Sequence, residues 1–403
     1  MSTTIPQLIA PAGNFEKLII ALHYGADAVY LGDSRFSLRA MAKNFNEEEV
    51  QLAIGYTHKK GAQAYITANI FPHNRDIGLL REYVHCIKEL GADGIIISDA
   101  GLLCMVKEIA PNLPVHISTQ ANITNYESAL FWEKMGAKRL ILARELSLDE
   151  IKEIRQKVSL ELEIFVHGSI CVSYSGRCYI SSFLAYKSAN RGMCTNSCRW
   201  SYTLMEEKRP GQYFPVFEDD RGTYLLSSKD LCLIEYVPEI AKVGITSVKI
   251  EGRMKGINYL GGVVKTYREA LDSLKNPPYI IKDYWLKELS SFSNRGYTRG
   301  KLFGDKDNMS INFDGINYRR SHDFIGQITA VHNDHAEVEL RNKLYCGDTI
   351  EFLTPGLEDT VWKVTSLGDL DGNIKEFGNT QERVIINVPA HIRRHDLIRR
   401  KIQ

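Results

Sequence analysis

The sequence lacks the features of an exported or membrane-bound protein. Its first residues, MSTTIPQLIAPAG, contain neither the basic stretch nor the apolar core of a signal peptide. No apolar run reaches the roughly 20 residues that a transmembrane helix requires. We therefore expect a cytoplasmic protein with no membrane partner. With 403 residues and 44% hydrophobic content, the chain is long enough for two or three domains.

Net charge is also nearly absent. The formal value of +1 argues against a protein that coats nucleic acid through bulk electrostatics, although a local basic surface remains compatible with it. Acidic residues are missing altogether from residues 164–205, a stretch that contains Arg177, Lys187, Arg191 and Arg199. This stretch is predicted to be a positive zone, suited to thiolates, an anionic cluster or an anionic substrate.

Cysteine is scarce, yet half of it is clustered. Four of the eight cysteines fall in the motifs GSICVSYSGRC and RGMCTNSC, as Cys171, Cys178, Cys194 and Cys198. In a reducing compartment such thiols are more often metal ligands or redox groups than disulfides. The six residues between Cys171 and Cys178 exceed the usual spacing of paired zinc ligands, so an iron–sulfur cluster is favoured over zinc, which remains the alternative.

A fifth cysteine, Cys232, is ambiguous. The pattern predicts an amphipathic helix over residues 230–243, which places Cys232 near the helix start and just after a predicted strand. It could be an alternative fourth ligand, a resolving thiol or a small buried hydrophobic residue. Cys86, Cys104 and Cys346 lie in apolar patterns and are interpreted as packing residues.

A repeated joint, in which a helical pattern ends at glycine and a short apolar strand follows, predicts the fold. It occurs at Gly25, Gly61, Gly91, Gly136 and Gly244. Further strands are predicted over 7–10, 115–119, 161–166 and 223–227, giving eight or nine. A doubly wound sheet is the rival, but Pro11-Ala-Gly-Asn is not a Gly-rich phosphate loop. We therefore predict an α/β protein with a TIM-type (β/α)8 barrel.

The domain organisation follows from where this rhythm stops. We predict a barrel over residues 1–275, which includes the cysteine-rich insertion 163–205, and a connecting segment over 276–320. Short strands between turn residues then predict a small antiparallel β-barrel domain over 321–403. The arginines and lysine near the end (Arg393, Arg394, Arg399, Arg400 and Lys401) are interpreted as a solvated tail or as contacts to an RNA backbone.

Polar residues at the predicted strand ends are the candidate site, because active sites of such barrels lie at the carboxyl ends of the strands. They are Asn69, Asp99, Gln120, Asn122, Arg144, His167, Glu251 and Arg253. Among these, His167, Glu251 and Arg253 are the candidate catalytic residues. The structural alternatives are an ion pair between Glu251 and Arg253, and a hydrogen-bonded structural imidazole at His167.

Protease motifs are missing. The sequence contains neither H-E-x-x-H nor G-x-S-x-G, and no cysteine nucleophile with a dedicated histidine and asparagine is evident. A peptidase is therefore a minority interpretation.

The segment EIFVHGSICVSYSGRCYIS, residues 163–181, resembles the signature of peptidase family U32, the collagenase-like group. The resemblance extends over essentially the whole chain, through LIAPAGN, GADAVYLG, HISTQANITN, RLILARELSLDEI, SSKDL and SVKIEGRMK. Within the family, the chain is most similar to members that act in tRNA hydroxylation.

This resemblance implies a barrel that carries a 4Fe–4S cluster on Cys171, Cys178, Cys194 and Cys198. It implies oxygen-independent hydroxylation of the wobble uridine of tRNA to 5-hydroxyuridine, with prephenate as a required metabolite. The implied partners are tRNA and, as an open question, a paralogous U32 subunit. A collagenase-like peptidase and a non-catalytic, zinc-containing tRNA-binding subunit remain the alternatives.

Roles for the polar side chains follow from that expectation. A dicarboxylate such as prephenate would pair with planar guanidinium groups, which favours Arg144, Arg177 and Arg253. The expected substrate-binding residues are Asn69, Gln120, Asn122, Arg144, Arg177 and Arg199. An unpaired wobble base is held by stacking on aromatic or arginine side chains, for which Tyr174, Tyr179, Arg199 and Trp200 are candidates.

Overall fold

The fold is seen in a computed structural model that describes residues 4–33, 35–38, 45–171, 173–199, 218–219, 222–223, 228–304, 320–356 and 358–402. The predicted strand 223–227 lies almost wholly outside the described residues. None of the helices in these ranges is long and apolar enough to cross a bilayer.

A closed parallel barrel forms the first domain. The first strands are β1 Gln7–Pro11, β2 Ala28–Leu31, β3 Gln63–Ala68, β4 Gly94–Ile97, β5 Val115–Ile117, β6 Arg139–Ile141, β7 Glu161–Ser169, β8 Glu218–Asp219, β9 Gly222–Thr223, β10 Asp230–Cys232 and β11 Ser247–Ile250. Within the described residues, β1 to β7 pair in chain order, and β11 pairs in parallel with both β1 and β7. These eight strands close the barrel, which confirms the predicted fold.

Ten helices are described. They are α1 Phe15–His23, α2 Glu47–Lys59, α3 Ile77–Glu89, α4 Ala100–Ile109, α5 Tyr126–Lys134, α6 Leu148–Lys157, α7 Ile180–Ala185, α8 Val237–Lys242, α9 Ile257–Ser273 and α10 Asp283–Ser291. All except α7, which lies in the cysteine-rich insertion, belong to the outside of the barrel domain. The side chains of Asn14, Asn46, Asn125 and Ser147 cap helix starts by accepting backbone N–H bonds. All five glycines of the predicted joints have positive φ and precede a barrel strand, as predicted.

The helix predicted over 230–243 is wrong in its first half. Residues 230–232 form strand β10, which pairs antiparallel with β7 so that Cys232 lies opposite His167. The long β7 offers an unpaired edge beyond the barrel, and the amide of Leu233 extends the pairing by donating to Val166 O at 2.9 Å. This tertiary pairing prevails over local helix preference, and α8 begins only at Val237, followed by Pro238.

The predicted connecting segment, residues 276–320, is part of the barrel domain where it is described. Helix α10 packs on α9, and Trp285 of α10 is completely buried. A further strand, β12 Tyr297–Thr298, pairs in parallel with β10. The side chain of Arg295 forms a buried ion pair with Asp230 at 2.6 Å. The segment therefore closes one side of the barrel domain.

The second domain is an antiparallel β-domain with a core of its own. Its strands are β13 His322–His332, β14 His335–Leu340, β15 Leu344–Tyr345, β16 Thr349–Leu353, β17 Thr360–Lys363, β18 Leu367–Gly368, β19 Phe377–Gly378, β20 Arg383–Asn387 and β21 Leu397–Lys401. In the described part, seven of them form one sheet in the order β17-β16-β21-β13-β14-β20-β18. Its core includes Ile325, Val338, Phe352 and Ile386.

The two domains share a continuous interface. Leu353 and Leu397 of the second domain join the core of the barrel domain. The Tyr24 hydroxyl donates to Leu353 O at 2.7 Å and accepts from the Leu397 amide at 3.1 Å. His23 contacts the buried Asp396 carboxylate at 2.8 Å. The domains are therefore packed together by buried polar and apolar contacts.

The basic residues near the end of the chain do not form a uniform charged tail. Arg399 is buried and pairs with Glu288, Glu351 and Asp359, and Arg400 pairs with Asp348. Both interpretations, a solvated tail and an RNA contact, are therefore wrong for Arg399, because strand β21 carries it into the domain interface. Arg400 is partly exposed and pairs within the second domain. Arg393, Arg394 and Lys401 are exposed.

Candidate active site at the barrel mouth

A polar cavity opens where the barrel strands reach their carboxyl ends. It encloses about 550 Å³ of space outside protein atoms, part of it open to solvent. Its walls are formed by Tyr30, Ser37, Leu38, Thr67, Asn69, Ile96, Ser118, Thr119, Gln120, Ile141, Arg144, Phe165, Lys249, Glu251 and Arg253. Five of the residues predicted from strand ends meet here, namely Asn69, Gln120, Arg144, Glu251 and Arg253.

Arg144 lies on one wall, after β6. Its Nη1 donates to Ser169 O at 2.9 Å, and its guanidinium carbon lies 4.9 Å from the centre of the Phe165 ring. This carbonyl bond and the ring contact fix the plane of the guanidinium group. The remaining donors of a guanidinium held in this way can meet a carboxylate in the cavity.

Arg253 follows β11 and is almost fully buried. Its Nη1 donates to Thr67 Oγ1 at 3.1 Å, and its Nη2 donates to Ser37 Oγ. The backbone of Arg253 is held equally closely: its carbonyl oxygen accepts from Lys17 Nζ at 2.9 Å, and a Cβ at Gly13 would lie 2.4 Å from that oxygen. The position of Arg253 therefore depends on a glycine in the first loop.

Two amide side chains complete the predicted set. Asn69 accepts from the Leu38 amide through Oδ1 at 3.3 Å and lies 3.5 Å from Ser118 Oγ through Nδ2. Gln120 is buried, and within the described residues its Oε1 has no hydrogen-bond partner. A buried acceptor without a partner is costly, so a ligand N–H at Gln120 would be favourable.

Glu251 is one of the lining residues, and its backbone is part of the barrel rim. The Glu251 carbonyl oxygen accepts from the Tyr259 hydroxyl at 2.9 Å. Gly168 approaches the same oxygen so closely that a Cβ would lie 2.5 Å away, and its φ of +106° is disfavoured for other residues. The signature glycine therefore permits the close contact between β7 and the loop after β11.

Lys249 lines the cavity but was not predicted. Its ammonium group binds Glu163 at 2.9 Å inside the barrel and lies 4.2 Å from the centre of the Tyr30 ring. Burial lowers the pKa of Lys249, and the Glu163 carboxylate opposes that shift. The signal in the sequence is the alternation of polar and apolar residues in Glu161-Leu-Glu163 and Ser247-Val-Lys249, which places these side chains inside the barrel.

His167 does not reach the cavity. Its ring is buried among Tyr259, Tyr267 and Tyr297, with centroid separations of 5.4–5.9 Å. Neither ring nitrogen has a hydrogen-bond partner among the described residues, and burial lowers the pKa of His167 to about 3. The geometry therefore supports neither direct acid–base catalysis nor the hydrogen-bonded imidazole that the sequence suggested; it indicates a neutral packing residue.

Three further predicted residues lie near the cavity. Asp99 caps α4 by accepting from the Leu102 amide at 2.9 Å. Asn122 has a left-handed backbone after the turn that contains Gln120, and its buried Oδ1 has no partner in the described part of the chain. Arg177 donates through Nε to Gln120 O at 2.8 Å and stacks near Phe71. Arg177 thus links the cysteine-rich insertion to the barrel mouth.

The remaining predictions concern the insertion between β7 and β10. Tyr174 and Tyr179 are exposed and could contact a large ligand. The side chain of Arg199 and the whole of Trp200 lie outside the described residues. Arg191, part of the predicted positive zone, is paired with Asp76 at 2.5 Å, so its charge is neutralised locally.

The four clustered cysteines all lie on this insertion. Cys171 follows β7, Cys178 precedes α7, and Cys194 and Cys198 lie around the short turn Ser197–Arg199, which packs against α7. Cys194 Sγ is 4.0 Å from Ser181 Oγ, and Cys171 Sγ lies beside Gly176. Among the described residues, no group of three or more His, Cys, Asp or Glu side chains is arranged to hold a metal ion.

The chemistry of these donors fits an iron–sulfur cluster, because four thiols share a segment without carboxylates. The cluster itself stays a prediction. Cys232 is different: it is buried in the barrel core, its Sγ lies 3.9 Å from the Tyr267 hydroxyl, and burial raises its pKa to about 11. These surroundings favour packing over ligation. Cys104 and Cys346 are exposed, so their interpretation as packing residues is wrong.

Comparisons with known proteins agree with this architecture. The model of the family described as peptidase family U32 matches residues 13–312, and that of its C-terminal domain matches residues 320–399. The tRNA hydroxylation protein P1 of Bacillus subtilis is 38% identical over 92% of this chain and 89% of its own length. The tRNA hydroxylation protein P of Escherichia coli is 37% identical over 87% of this chain and 86% of its own. A collagenase of Porphyromonas gingivalis is 29% identical over 98% of this chain and 97% of its own.

Proposed function

The chain belongs to peptidase family U32, and from that membership we propose that it is an enzyme of tRNA hydroxylation. In its finer form, the proposal is that the protein converts the wobble uridine of tRNA to 5-hydroxyuridine without dioxygen, and that it requires prephenate. The partner is tRNA, with a paralogous U32 subunit as a possible second component of the reaction. The site of action would be the cytoplasm.

One observation carries the proposal: the cavity at the barrel mouth combines two guanidinium groups with the amide side chains of Asn69 and Gln120, of which Gln120 is buried. Arg144 and Arg253 suit a carboxylate, and Asn69 and Gln120 suit the alternating donors and acceptors of a pyrimidine. A uracil ring presents an N3–H between two carbonyl groups. The buried Gln120 Oε1 is an acceptor that this N–H could meet.

The position of the cavity also suits a base taken from a loop. The wobble base is already unpaired, so its entry into a pocket costs little stacking energy. Tyr174 and Tyr179 are exposed on the insertion beside the mouth, where rings could stack on neighbouring bases. Arg177 connects this insertion to Gln120 and thereby holds the two parts of the site together.

A dicarboxylate such as prephenate would be bound by Arg144 and Arg253 in the same cavity. The guanidinium of Arg144 is oriented by Ser169 O, and that of Arg253 by Thr67 and Ser37. Orientation before binding reduces the entropy lost when the ligand is fixed. Glu251, on the same wall, is the carboxylate placed to move a proton on a bound ligand.

An iron–sulfur cluster on Cys171, Cys178, Cys194 and Cys198 would supply electron transfer or Lewis-acid iron next to the base. The charge of the insertion suits an anionic cluster, because Arg177 and Lys187 lie within a stretch that has no carboxylate. Cys232 would contribute to packing under β10 rather than to ligation.

The peptidase alternative has less support from the cavity. None of its described lining residues is a histidine or a cysteine, so Ser37 and Ser118 have no histidine base beside them there. The second alternative, a zinc-containing tRNA-binding subunit without catalysis, uses the same cysteines and differs in the metal bound.

The proposal is tested by mass analysis of tRNA nucleosides from a deletion strain. We expect 5-hydroxyuridine-derived nucleosides to disappear and to return with the wild-type gene. Complementation with Cys178→Ala or Gln120→Ala should fail, whereas Cys104→Ala, at an exposed cysteine of α4, should succeed. If these nucleosides persist unchanged in the deletion strain and in strains that also lack its paralogues, the proposed function is wrong.

A further inference from the structure

A second, larger cavity lies between the barrel domain and the C-terminal β-domain. It encloses about 1020 Å³ of non-protein space, part of it open to solvent. Its walls come from the start of α1, the start of α9, the end of α10, and strand β13 with the loop after β14. We call it the interdomain cleft. None of the described residues that were predicted to be functional lines it.

The lining of the interdomain cleft contains more basic than acidic side chains. Its described lining contains the permanent cations Lys17, Lys255, Arg320 and Arg341, and Glu16 is its one carboxylate. Arg341 binds Glu16 at 2.6 Å and lies 3.3 Å from Glu339, and Arg320 pairs with Asp323 at 3.2 Å. The ammonium groups of Lys17 and Lys255 donate to backbone carbonyl oxygens, which carry no formal charge. The lining residues thus carry four permanent positive charges against the one negative charge of Glu16, and the Asp323 and Glu339 carboxylates offset part of that excess. In a concave site the electrostatic potential is focused.

The backbone at one end of the cleft adds to this potential. Helix α9 begins here after Gly256, and Ile257, Asn258 and Tyr259 form part of the wall. Gly256 provides no side-chain cap, and the first turn contains no acidic residue. The amide groups of a first helical turn have no partner within the helix, and the helix dipole is positive at this end. Both effects favour an anion over a cation in the cleft.

The cleft and the active-site cavity are neighbours. Lys17 lines the cleft and binds the carbonyl oxygen of Arg253, whose side chain lines the cavity. Tyr259 likewise lines the cleft and donates its hydroxyl to the carbonyl of Glu251. A polymeric ligand could therefore occupy both sites, with one group in the cavity and a connected group in the cleft.

We propose that the interdomain cleft binds the phosphate backbone of the RNA whose base enters the barrel mouth. This inference rests on the proposed function. Phosphates bind through lysine, arginine and helix N-termini, which are the groups that the cleft presents. The contacts would position the RNA without reading its sequence. The C-terminal domain would then contribute to the reaction by completing the surface that binds the RNA.

The test uses two substitutions at Gly256 that have almost the same shape but differ in charge. A Cβ at Gly256 would meet no atom within 4 Å, and its φ of −75° suits any residue. Asp and Asn are both good N-cap residues, so both variants should fold at least as stably as the wild type. Gly256→Asp places a negative charge in the cleft, whereas Gly256→Asn does not.

Binding of a labelled anticodon stem–loop RNA to the full chain is measured by fluorescence anisotropy over a range of salt concentrations. We expect Gly256→Asp to bind about tenfold more weakly than Gly256→Asn, because an added carboxylate opposes phosphate neutralisation. Lys255→Gln should reduce the slope of log affinity against log salt by about one. Lys88→Gln, on the exposed face of α3, should leave the slope unchanged.

Equal RNA affinity of Gly256→Asp and Gly256→Asn, together with an unchanged slope for Lys255→Gln, would overturn the inference. Inorganic phosphate tests the other source of the same chemistry: if low millimolar phosphate abolishes the difference between the two Gly256 variants, the cleft binds a small anion and the RNA assignment is wrong. If tRNA nucleosides are unaffected by deletion of the gene but the Gly256 variants differ in RNA binding, the hydroxylation proposal fails while the cleft remains an RNA site.

Discussion

Arg295 and Asp230 form a buried ion pair in which Nη2 and Oδ1 are 2.6 Å apart and the side chains are 2% and 5% exposed. Burial alone would raise the pKa of Asp230, but the charge and hydrogen bond of Arg295 outweigh burial and lower it. The pair joins the segment after α10 to strand β10. It therefore fixes the position of a part of the chain that looked like a linker in the sequence.

Breaking this pair should be costly. We expect Arg295→Met to lower the free energy of unfolding by about 3–5 kcal/mol, because the Asp230 carboxylate would be left buried without its counter-charge. Urea unfolding followed by circular dichroism measures the loss. The control is Arg81→Met, whose partner Glu108 is exposed, and there we expect less than about 1 kcal/mol. Equal losses in the two variants would show that burial of the Arg295 pair is not what stabilises this region.

The buried imidazole of His167 should make the protein sensitive to acid. Burial lowers the pKa of His167 from its ordinary value of 6.5 to about 3 in the folded chain. Between these two pH values the imidazole is protonated in the unfolded chain and neutral in the folded chain. The contribution of His167 to the free energy of unfolding is complete above pH 6.5. It is lost as the pH falls toward 3, at about 1.4 kcal/mol per pH unit.

The measurement is the urea midpoint between pH 7 and pH 4 for the wild type and for His167→Phe. The variant should lose less stability over this range, because the group that titrates has been removed. His85→Phe, at an exposed histidine of α3, should follow the wild type. A His167→Phe curve parallel to that of the wild type would contradict the assignment of a neutral imidazole.

The cysteine quartet should bind iron. We expect the protein purified without oxygen to contain about four iron atoms per chain with acid-labile sulfide, and to absorb broadly in the visible range. Cys171→Ala, Cys178→Ala, Cys194→Ala and Cys198→Ala should each lose most of the iron, whereas Cys104→Ala should retain it. Colourless wild-type protein that contains zinc would favour the non-catalytic alternative.

Cys232 provides a separate test within the same experiment. Since its thiol is buried against Tyr267 and its pKa is raised to about 11, Cys232→Ala should keep the iron and lose some thermal stability. Loss of iron with unchanged stability would instead identify Cys232 as a ligand.

The guanidinium of Arg144 should decide the affinity for a dicarboxylate. We expect Arg144→Gln to weaken prephenate binding at least about tenfold in calorimetry, because one charge-assisted contact is removed. Arg75→Gln, at an exposed arginine outside the cavity, is the matched control. If both variants bind prephenate as the wild type does, the cavity is not its site.

The barrel was predictable because each αβ joint has a local cause. Gly25, Gly61, Gly91, Gly136 and Gly244 all have positive φ, a conformation that glycine adopts at low cost, and each is followed by an apolar strand. The residues at the barrel mouth could be predicted for the same reason. Strands whose positions were predicted precede Asn69, Gln120, Arg144, Glu251 and Arg253.

What could not be predicted depends on contacts between distant segments. The sequence around Cys232 has a helical pattern, and only the unpaired edge of β7 makes residues 230–232 a strand. His167 lies at the end of an apolar strand, where a catalytic residue of a barrel would also lie. Its packing against Tyr267 and Tyr297 depends on elements far along the chain, which the local sequence does not show. The interdomain cleft is formed by Lys17, Lys255 and Arg341, which are widely separated in sequence.

The hydroxyl of Tyr24 also determines what the barrel domain would require if it were separated from the second domain. Its oxygen is bonded on both sides by the backbone of the second domain, at Leu353 and Leu397, although the residue itself belongs to the barrel. Removal of the chain after residue 320 would take away both backbone partners of the Tyr24 hydroxyl and uncover the barrel surface on which Leu353 and Leu397 pack. A barrel that stands without the second domain must therefore offer the Tyr24 hydroxyl another donor and acceptor, or carry a different residue at that position.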